Sequence, residues 1–177
     1  MKLSVKRVAA IGIGAVLFFL LGRFVVIPSP IDTVNICVQY GLLAFLSVTF
    51  GPLTGTLSGL LGHILIDWSY GEICWSWILA TAAFGGLLGG LANVVRLKGA
   101  RWNQDTLIRF NLCQVAVHII CWAGVAPVLE IALYGESMDR IFEQGLTAAM
   151  ANATTTAVVG TALLLAHSAL KSRSSAK

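Results

Sequence analysis

Long apolar stretches separated by short polar ones make up most of the chain. The first runs over residues 8–27, after a basic start at Lys2, Lys6 and Arg7. Pro28 and Pro30 end it, because proline cannot continue a helix and restricts the residue before it. Further apolar stretches occupy residues 36–50, 53–67, 76–95, 107–128 and 145–170, the fifth with room to run on to Tyr134. Gly51-Pro52 is a sharp turn, so the second and third stretches form a tight hairpin of short helices. Residues 29–35, 68–75, 96–103 and 135–144 read as loops. A helix needs ~20 apolar residues to cross a bilayer. The pattern therefore predicts an all-α polytopic membrane protein, a single domain over residues 1–177 with six transmembrane helices. The first stretch starts like a signal peptide, but its apolar run is too long and no A-x-A site follows. It reads as a retained span.

Composition agrees. Hydrophobic residues make up 57% of the 177 and charged residues only 11%, against ~25% charged in a soluble domain. The net charge of +4 raises nucleic acid as a partner, but no basic patch interleaves with aromatics. Instead the basic residues cluster between apolar runs, which is a topology signal. With both termini in the cytoplasm, Lys2, Lys6, Arg7, Arg96, Lys98, Arg101, Arg109, Lys171, Arg173 and Lys177 all fall inside. Only Arg23 and Arg140 fall outside, with Asp32, Asp67, Glu72, Glu136, Asp139 and Glu143. A five-span chain strands either the Arg96 loop or the C-terminal tail.

Chemistry-bearing motifs are sparse. Cys37, Cys74, Cys113 and Cys121 show no CxxC spacing, so neither a metal site nor a dithiol is indicated. No HExxH, GxSxG or GxxxxGK[ST] appears, and no catalytic residue is assigned. His63 and His118 lack the companion histidines of a haem bundle. No cofactor is expected.

Polar residues inside spans are functional suspects by default. Asn111, Gln114, His118 and Trp122 follow steps of 3, 4 and 4 and share one helical face. Asn35 and Gln39 are four apart, as are His63 and Asp67, and Asn152 lies near Thr155 and Thr156. These faces either join helices by hydrogen bonds or line a cavity. The segment Asp67, Trp68, Ser69, Tyr70, Gly71, Glu72, Ile73, Cys74, Trp75, Ser76, Trp77 holds three of the five tryptophans. It is either an interfacial aromatic belt or a lid over an outward-opening cavity that stacks planar rings. Small residues pattern several spans: Ala10 and Gly14 in the first, Gly55, Gly59 and Gly62 in the third, and Gly85, Gly86, Gly89 and Gly90 in the fourth. They let helices approach closely in lipid. The first pair reads either as bundle packing or as a face for a partner helix.

Three stretches, VKRVAAIGIGAVLFFLLGRFVVIPSPI, FGPLTGTLSGLLGHILIDW and GEICWSWILATAAFGGLLGGL, resemble the S components of energy-coupling factor (ECF) vitamin transporters. They cover about residues 5–95, and the nearest branch lies beside the riboflavin S components. The resemblance implies a six-helix uptake module in a prokaryotic plasma membrane. It implies a vitamin-like ligand bound at the extracellular side, and docking on a transmembrane T component with two ABC-type ATPases that hydrolyse ATP. Such a subunit is not itself an enzyme. The family's docking face falls here on Ala10 and Gly14, glycine replacing the usual alanine. Its ligand-binding regions fall on Asn35, Gln39, Asp67, Trp68, Tyr70, Trp75, Trp77, Asn111, Gln114, His118, Trp122 and Asn152. Riboflavin leads by kinship, with cobalamin, a thiamine precursor or another vitamin open. The competing readings are a self-sufficient secondary transporter or channel, for which Pro127 and Glu130 are the only hint, and a haem-containing membrane protein.

Overall fold

The computed structural model describes residues 4–28, 35–97 and 102–175. Lys2, Asp32, Lys98, Arg101 and Lys177 lie outside these residues, as does most of the segment between the first two apolar stretches.

Among the described residues, six helices form the bundle. α1 is Val5–Phe24, α2 Gln39–Phe50, α3 Pro52–Tyr70 and α4 Trp75–Val94. α5 runs unbroken over Gln104–Tyr134 and α6 over Met138–Ser174. Two short strands, β1 (Val26–Pro28) and β2 (Asn35–Cys37), pair antiparallel between α1 and α2, with Ile27 opposite Ile36. α1, α4, α5 and α6 are long and apolar enough to cross a membrane. α2 has 12 residues, ~18 Å at 1.5 Å per residue, short of the ~30 Å hydrocarbon core.

Local chemistry sets the ends. The Ser4 side chain accepts from the Arg7 N–H and caps α1. Pro52 opens α3, where its missing N–H costs nothing. Gly71, at φ 84°, closes α3 in the left-handed conformation that glycine adopts without strain. Asn103 and Thr106 form a reciprocal capping box at the start of α5.

Several boundaries differ from the sequence reading. α1 ends at Phe24, so Val26 and Ile27 belong to β1 and not to the first span. Ile36 and Cys37 belong to β2 and not to a span. α3 continues past Asp67, so Trp68 and Tyr70 are helical. Met138 to Gln144 form the first two turns of α6 instead of a loop. Ser137 stands at the cap position, Asp139 lies in the first turn, and Arg140 reaches back to Glu136 at 4.0 Å. A negative charge at a helix N-terminus and an i,i+4 pair both favour helix, so dense charge here marks an amphipathic extension.

α3 is the hub, packed against α1, α2 and α4. Its glycines permit this. A Cβ on Gly55 would come within 2.6 Å of the Gly85 carbonyl oxygen, so α3 and α4 touch backbone to backbone. The core gathers Phe18, Tyr40, Leu43, Phe84, Phe110 and Trp122. Outward, Ile13, Val16, Leu79, Leu112, Ile119, Val128 and Val158 are exposed. Helices apolar on every side suit lipid and not water. α5 and α6 each contain one π-helical turn, at Cys121–Val125 and Thr156–Gly160. Such turns are often found at functional sites.

Candidate functional site

A cavity of about 300 Å³ opens at the end of the bundle where the β1–β2 hairpin and the α3–α4 turn lie. Its aromatic wall is built first. Trp77 of α4 stacks on Trp122 of α5, with centroids 5.6 Å apart and planes 20° off parallel. Tyr40 of α2 meets Trp122 edge-on at 5.1 Å. Tyr70 also lines the cavity, and the Arg23 guanidinium lies over its ring at 4.3 Å.

His118 holds this wall without lining the cavity. Trp122 Nε1–H donates to His118 Nδ1 at 2.8 Å. An indole nitrogen only donates, so His118 Nδ1 accepts and its proton sits on Nε2. Nε2–H then donates to Thr156 Oγ1 at 3.0 Å, on the π turn of α6. Phe84 stacks on the imidazole at 4.2 Å. The indole is therefore fixed by one hydrogen bond and two ring contacts.

Thr81 organises the other side. Its hydroxyl lies 2.9 Å from the Trp77 carbonyl, 3.1 Å from Tyr40 Oη and 2.6 Å from His63 Nδ1. The carbonyl only accepts, so the single Thr81 proton goes there. Tyr40 O–H and His63 Nδ1–H both donate to Thr81. His63 Nε2 is left facing Asp67 Oδ1 at 3.5 Å. Asp67 Oδ2 accepts the Cys74 N–H at 2.9 Å, which ties the end of α3 to the start of α4.

Of the expected site residues, the fold brings Asn35, Gln39, Asp67, Tyr70, Trp77, Trp122 and Asn152 to this cavity. Trp68 and Trp75 are exposed away from it, as an interfacial belt would be. Asn111 and Gln114 lie deeper and join helices. Asn111 Nδ2 donates to Thr161 Oγ1 of α6 at 3.4 Å as well as to the Leu107 carbonyl of its own helix, and Gln114 Nε2 to the Ala153 carbonyl of α6 at 3.1 Å. The polar stripe of α5 thus divides into glue at one end and a pinned aromatic wall at the other. On α1, Gly14 is buried, and a Cβ there would come within 2.6 Å of Leu46 and 2.7 Å of Ser58 Oγ. Ala10 is half-buried. The outward face of α1 carries Ala9, Gly12, Ile13 and Val16.

The cavity also takes Tyr40, His63, Cys37 and Cys74, which the sequence reading did not assign to it. His63 had a signal in its spacing to Asp67. The cysteines had none. The Cys74 thiol is pushed up to about 11, by burial and then by Glu130. It stays protonated at neutral pH and donates to Glu130 Oε1 at 3.1 Å, beside the Ser76 hydroxyl at 2.5 Å. A second cavity of about 230 Å³, lined by Glu130, Glu136, Arg140, Ile141 and Gln144, shares Trp77 with the first. Among the described residues, no cluster of His, Cys, Asp and Glu is arranged to hold a metal ion.

Known proteins now bear on this geometry. The family model described as the ECF-type riboflavin transporter S component matches residues 2–169. The chain belongs to the ECF S-component family. That family consists of membrane transport subunits, not enzymes. UPF0397 proteins of Staphylococcus aureus are 41% identical over 166 residues, covering 93% of this chain and 90% of theirs, and the protein of strain Newman is 40% identical over the same span. The crystal structure of the S component for biotin from an ECF-type ABC transporter superposes with a TM-score of 0.66 at 14% identity. It covers 92% of this chain and 91% of that one. The six-helix arrangement is thus the S-component fold, and the chain is a substrate-binding subunit of an ECF transporter.

Proposed function

We propose that this S component captures a flat, vitamin-like heteroaromatic compound in the 300 Å³ cavity at its extracellular end. In this reading it spans a prokaryotic plasma membrane six times with both termini inside. α2 and α3 complete the set as short spans shielded by their neighbours. The observation that carries the reading is the Trp77–Trp122 stack, locked from behind by His118. A wall held rigid before the ligand arrives spares the ordering cost of binding. Riboflavin is the first compound to test, on the strength of the family.

Transport in this reading draws on a T component and two ATPases, the partners that membership of the family implies. The docking face is proposed on the outward side of α1, at Ala9 and Gly12 with Ala10 at its edge. A Cβ on Gly12 meets nothing within 4 Å, so a partner helix has room to approach. Gly14 serves packing inside the bundle. The test is reconstitution of the chain with and without a T component and both ATPases, followed by uptake of labelled riboflavin and other vitamins. ATP-dependent uptake that requires all four chains is expected. Uptake by this chain alone, driven by an ion gradient, overturns the reading. Glu130 weighs against that alternative, because it is already engaged by Ser76 and Cys74.

A further inference from the structure

The two indoles of the cavity wall are fixed by different means. Trp122 is pinned through its ring nitrogen to His118. Among the described residues the Trp77 ring nitrogen takes no such bond; the Thr81 hydroxyl reaches only its backbone carbonyl. Where the Trp77 ring lies therefore depends on where the first turn of α4 is held.

That turn is held from outside its own helix. Cys74 stands at the cap position, and no side chain there caps the turn, although the first N–H groups of a helix have no partner within it. α5 supplies what is missing. Glu130 Oε1 accepts the Ser76 hydroxyl at 2.5 Å and the Cys74 thiol at 3.1 Å. One turn on, Tyr134 Oη accepts the Trp75 N–H at 3.0 Å. The three residues before Trp77 are thus gripped by two residues of α5 that share one helical face. A carboxylate here also meets the positive end of the α4 dipole. At the far end of α4 the sign reverses, where Arg109 of α5 donates to the Val95 carbonyl at 3.1 Å, at the C-cap. α5 therefore caps α4 at both ends.

Glu130 is 5% exposed and Ser76 fully buried, so water does not replace their bond. Glu130 lines the second cavity and not the first, while Trp77 lines both. The carboxylate stands behind the wall, and its effect on a ligand in the first cavity passes through Trp77. Trp122 shares a helix with Glu130, and Trp77 directly follows Ser76. The Ser76–Glu130 bond therefore fixes the register at which the two indoles meet.

Resting on the capture reading above, we infer that Glu130 is a positioning residue for capture: by holding Ser76 and Cys74 it sets the first turn of α4 and keeps Trp77 stacked on Trp122 before a ligand arrives. Without it two donors lose their acceptor, and an indole free to wander must be ordered on binding at a cost to affinity.

The purified full-length chain is read in detergent by near-ultraviolet circular dichroism, which reports fixed aromatic packing, and by titration with riboflavin. Trp77→Phe marks the part of the signal that belongs to this indole. Glu130→Leu and Ser76→Ala are expected to lose most of that part and to weaken riboflavin ~10-fold. Glu130→Gln keeps an oxygen for both donors and is expected to recover most of the signal and the affinity. Leucine and glutamine are close in size, so the contrast reads the acceptor and not the volume. Ser76→Ala carries the same expectation if Glu130→Leu fails to fold. An unchanged Trp77 signal in the folded variants overturns the inference, as does Glu130→Gln losing as much as Glu130→Leu, or a lost signal with unchanged riboflavin affinity. If the wild-type chain does not bind riboflavin, the inference stands or falls on the Trp77 signal, and the capture reading on the uptake experiment.

Discussion

His118 lines no part of the cavity, yet replacing it with phenylalanine is expected to weaken ligand capture. The ring stack on Phe84 at 4.2 Å survives this change, so packing is largely kept. What is lost is the acceptor for Trp122 Nε1–H at 2.8 Å and the donor to Thr156 at 3.0 Å. Trp122 is 1% exposed and Thr156 fully buried, so neither finds water. One buried orphan costs about 1–3 kcal/mol in general, and polar bonds between membrane helices measure about 0.6–2 kcal/mol. A loss of ~1–2 kcal/mol is therefore expected for His118→Phe, in the range where both estimates agree. Thr156→Val orphans only the His118 Nε2–H and should cost a similar amount. The double variant should cost less than the sum, because removing both members of a pair leaves fewer unpaired groups. The assay is reversible unfolding in detergent for all four proteins, with tryptophan emission and ligand affinity read on the same samples. Strict additivity, or a His118→Phe protein with unchanged emission and affinity, refutes the tautomer assignment and the pinning of the indole.

Other consequences follow from the packing and the thiol chemistry. Gly55→Val drives a side chain into the Gly85 carbonyl, because even a Cβ would lie 2.6 Å from its oxygen. Overpacking costs about 1–3 kcal/mol, and lowered thermal stability in detergent should report it. Gly12→Trp should leave folding and ligand binding intact but abolish energised uptake, whereas Gly14→Trp should lower stability itself; size-exclusion profiles beside uptake assays separate the two. Cys74, with its thiol held at about 11, should alkylate slowly near neutral pH and faster as pH rises toward that value. Glu130→Gln removes a carboxylate that raises the thiol, so alkylation at fixed pH should quicken, as maleimide labelling followed by mass spectrometry will show.

The span pattern was readable because lipid demands long apolar runs and proline and glycine punctuate them at Pro28, Gly51, Pro52 and Gly71. The β1–β2 pair was not, since three residues per strand, one of them Pro28, give no alternation to detect. The first turns of α6 were hidden for the opposite reason: Asp139, Arg140 and Glu143 look like a loop unless the i,i+4 spacing of Arg140 to Glu136 and the exposed face is weighed. At the site, helical period placed Asn111, Gln114, His118 and Trp122 on one face. It carried no information on depth, and depth decides that Asn111 and Gln114 bond to neighbouring helices while Trp122 walls the cavity. The meeting of Trp77 with Trp122, and of Tyr40 and His63 at Thr81, joins residues far apart in sequence. Likewise a small-residue pair such as Ala10 and Gly14 announces close approach without saying to what, and in α1 Gly14 packs against α2 and α3 of the same chain.

Native mass spectrometry of the protein purified from cells that take up the ligand tests the central claim most directly. A stoichiometric small-molecule adduct is expected on the wild-type chain and is expected to be lost in Trp77→Ala while the protein remains folded. An adduct that persists in Trp77→Ala contradicts the assignment of this cavity as the capture site, as does a folded wild-type chain that carries and acquires none.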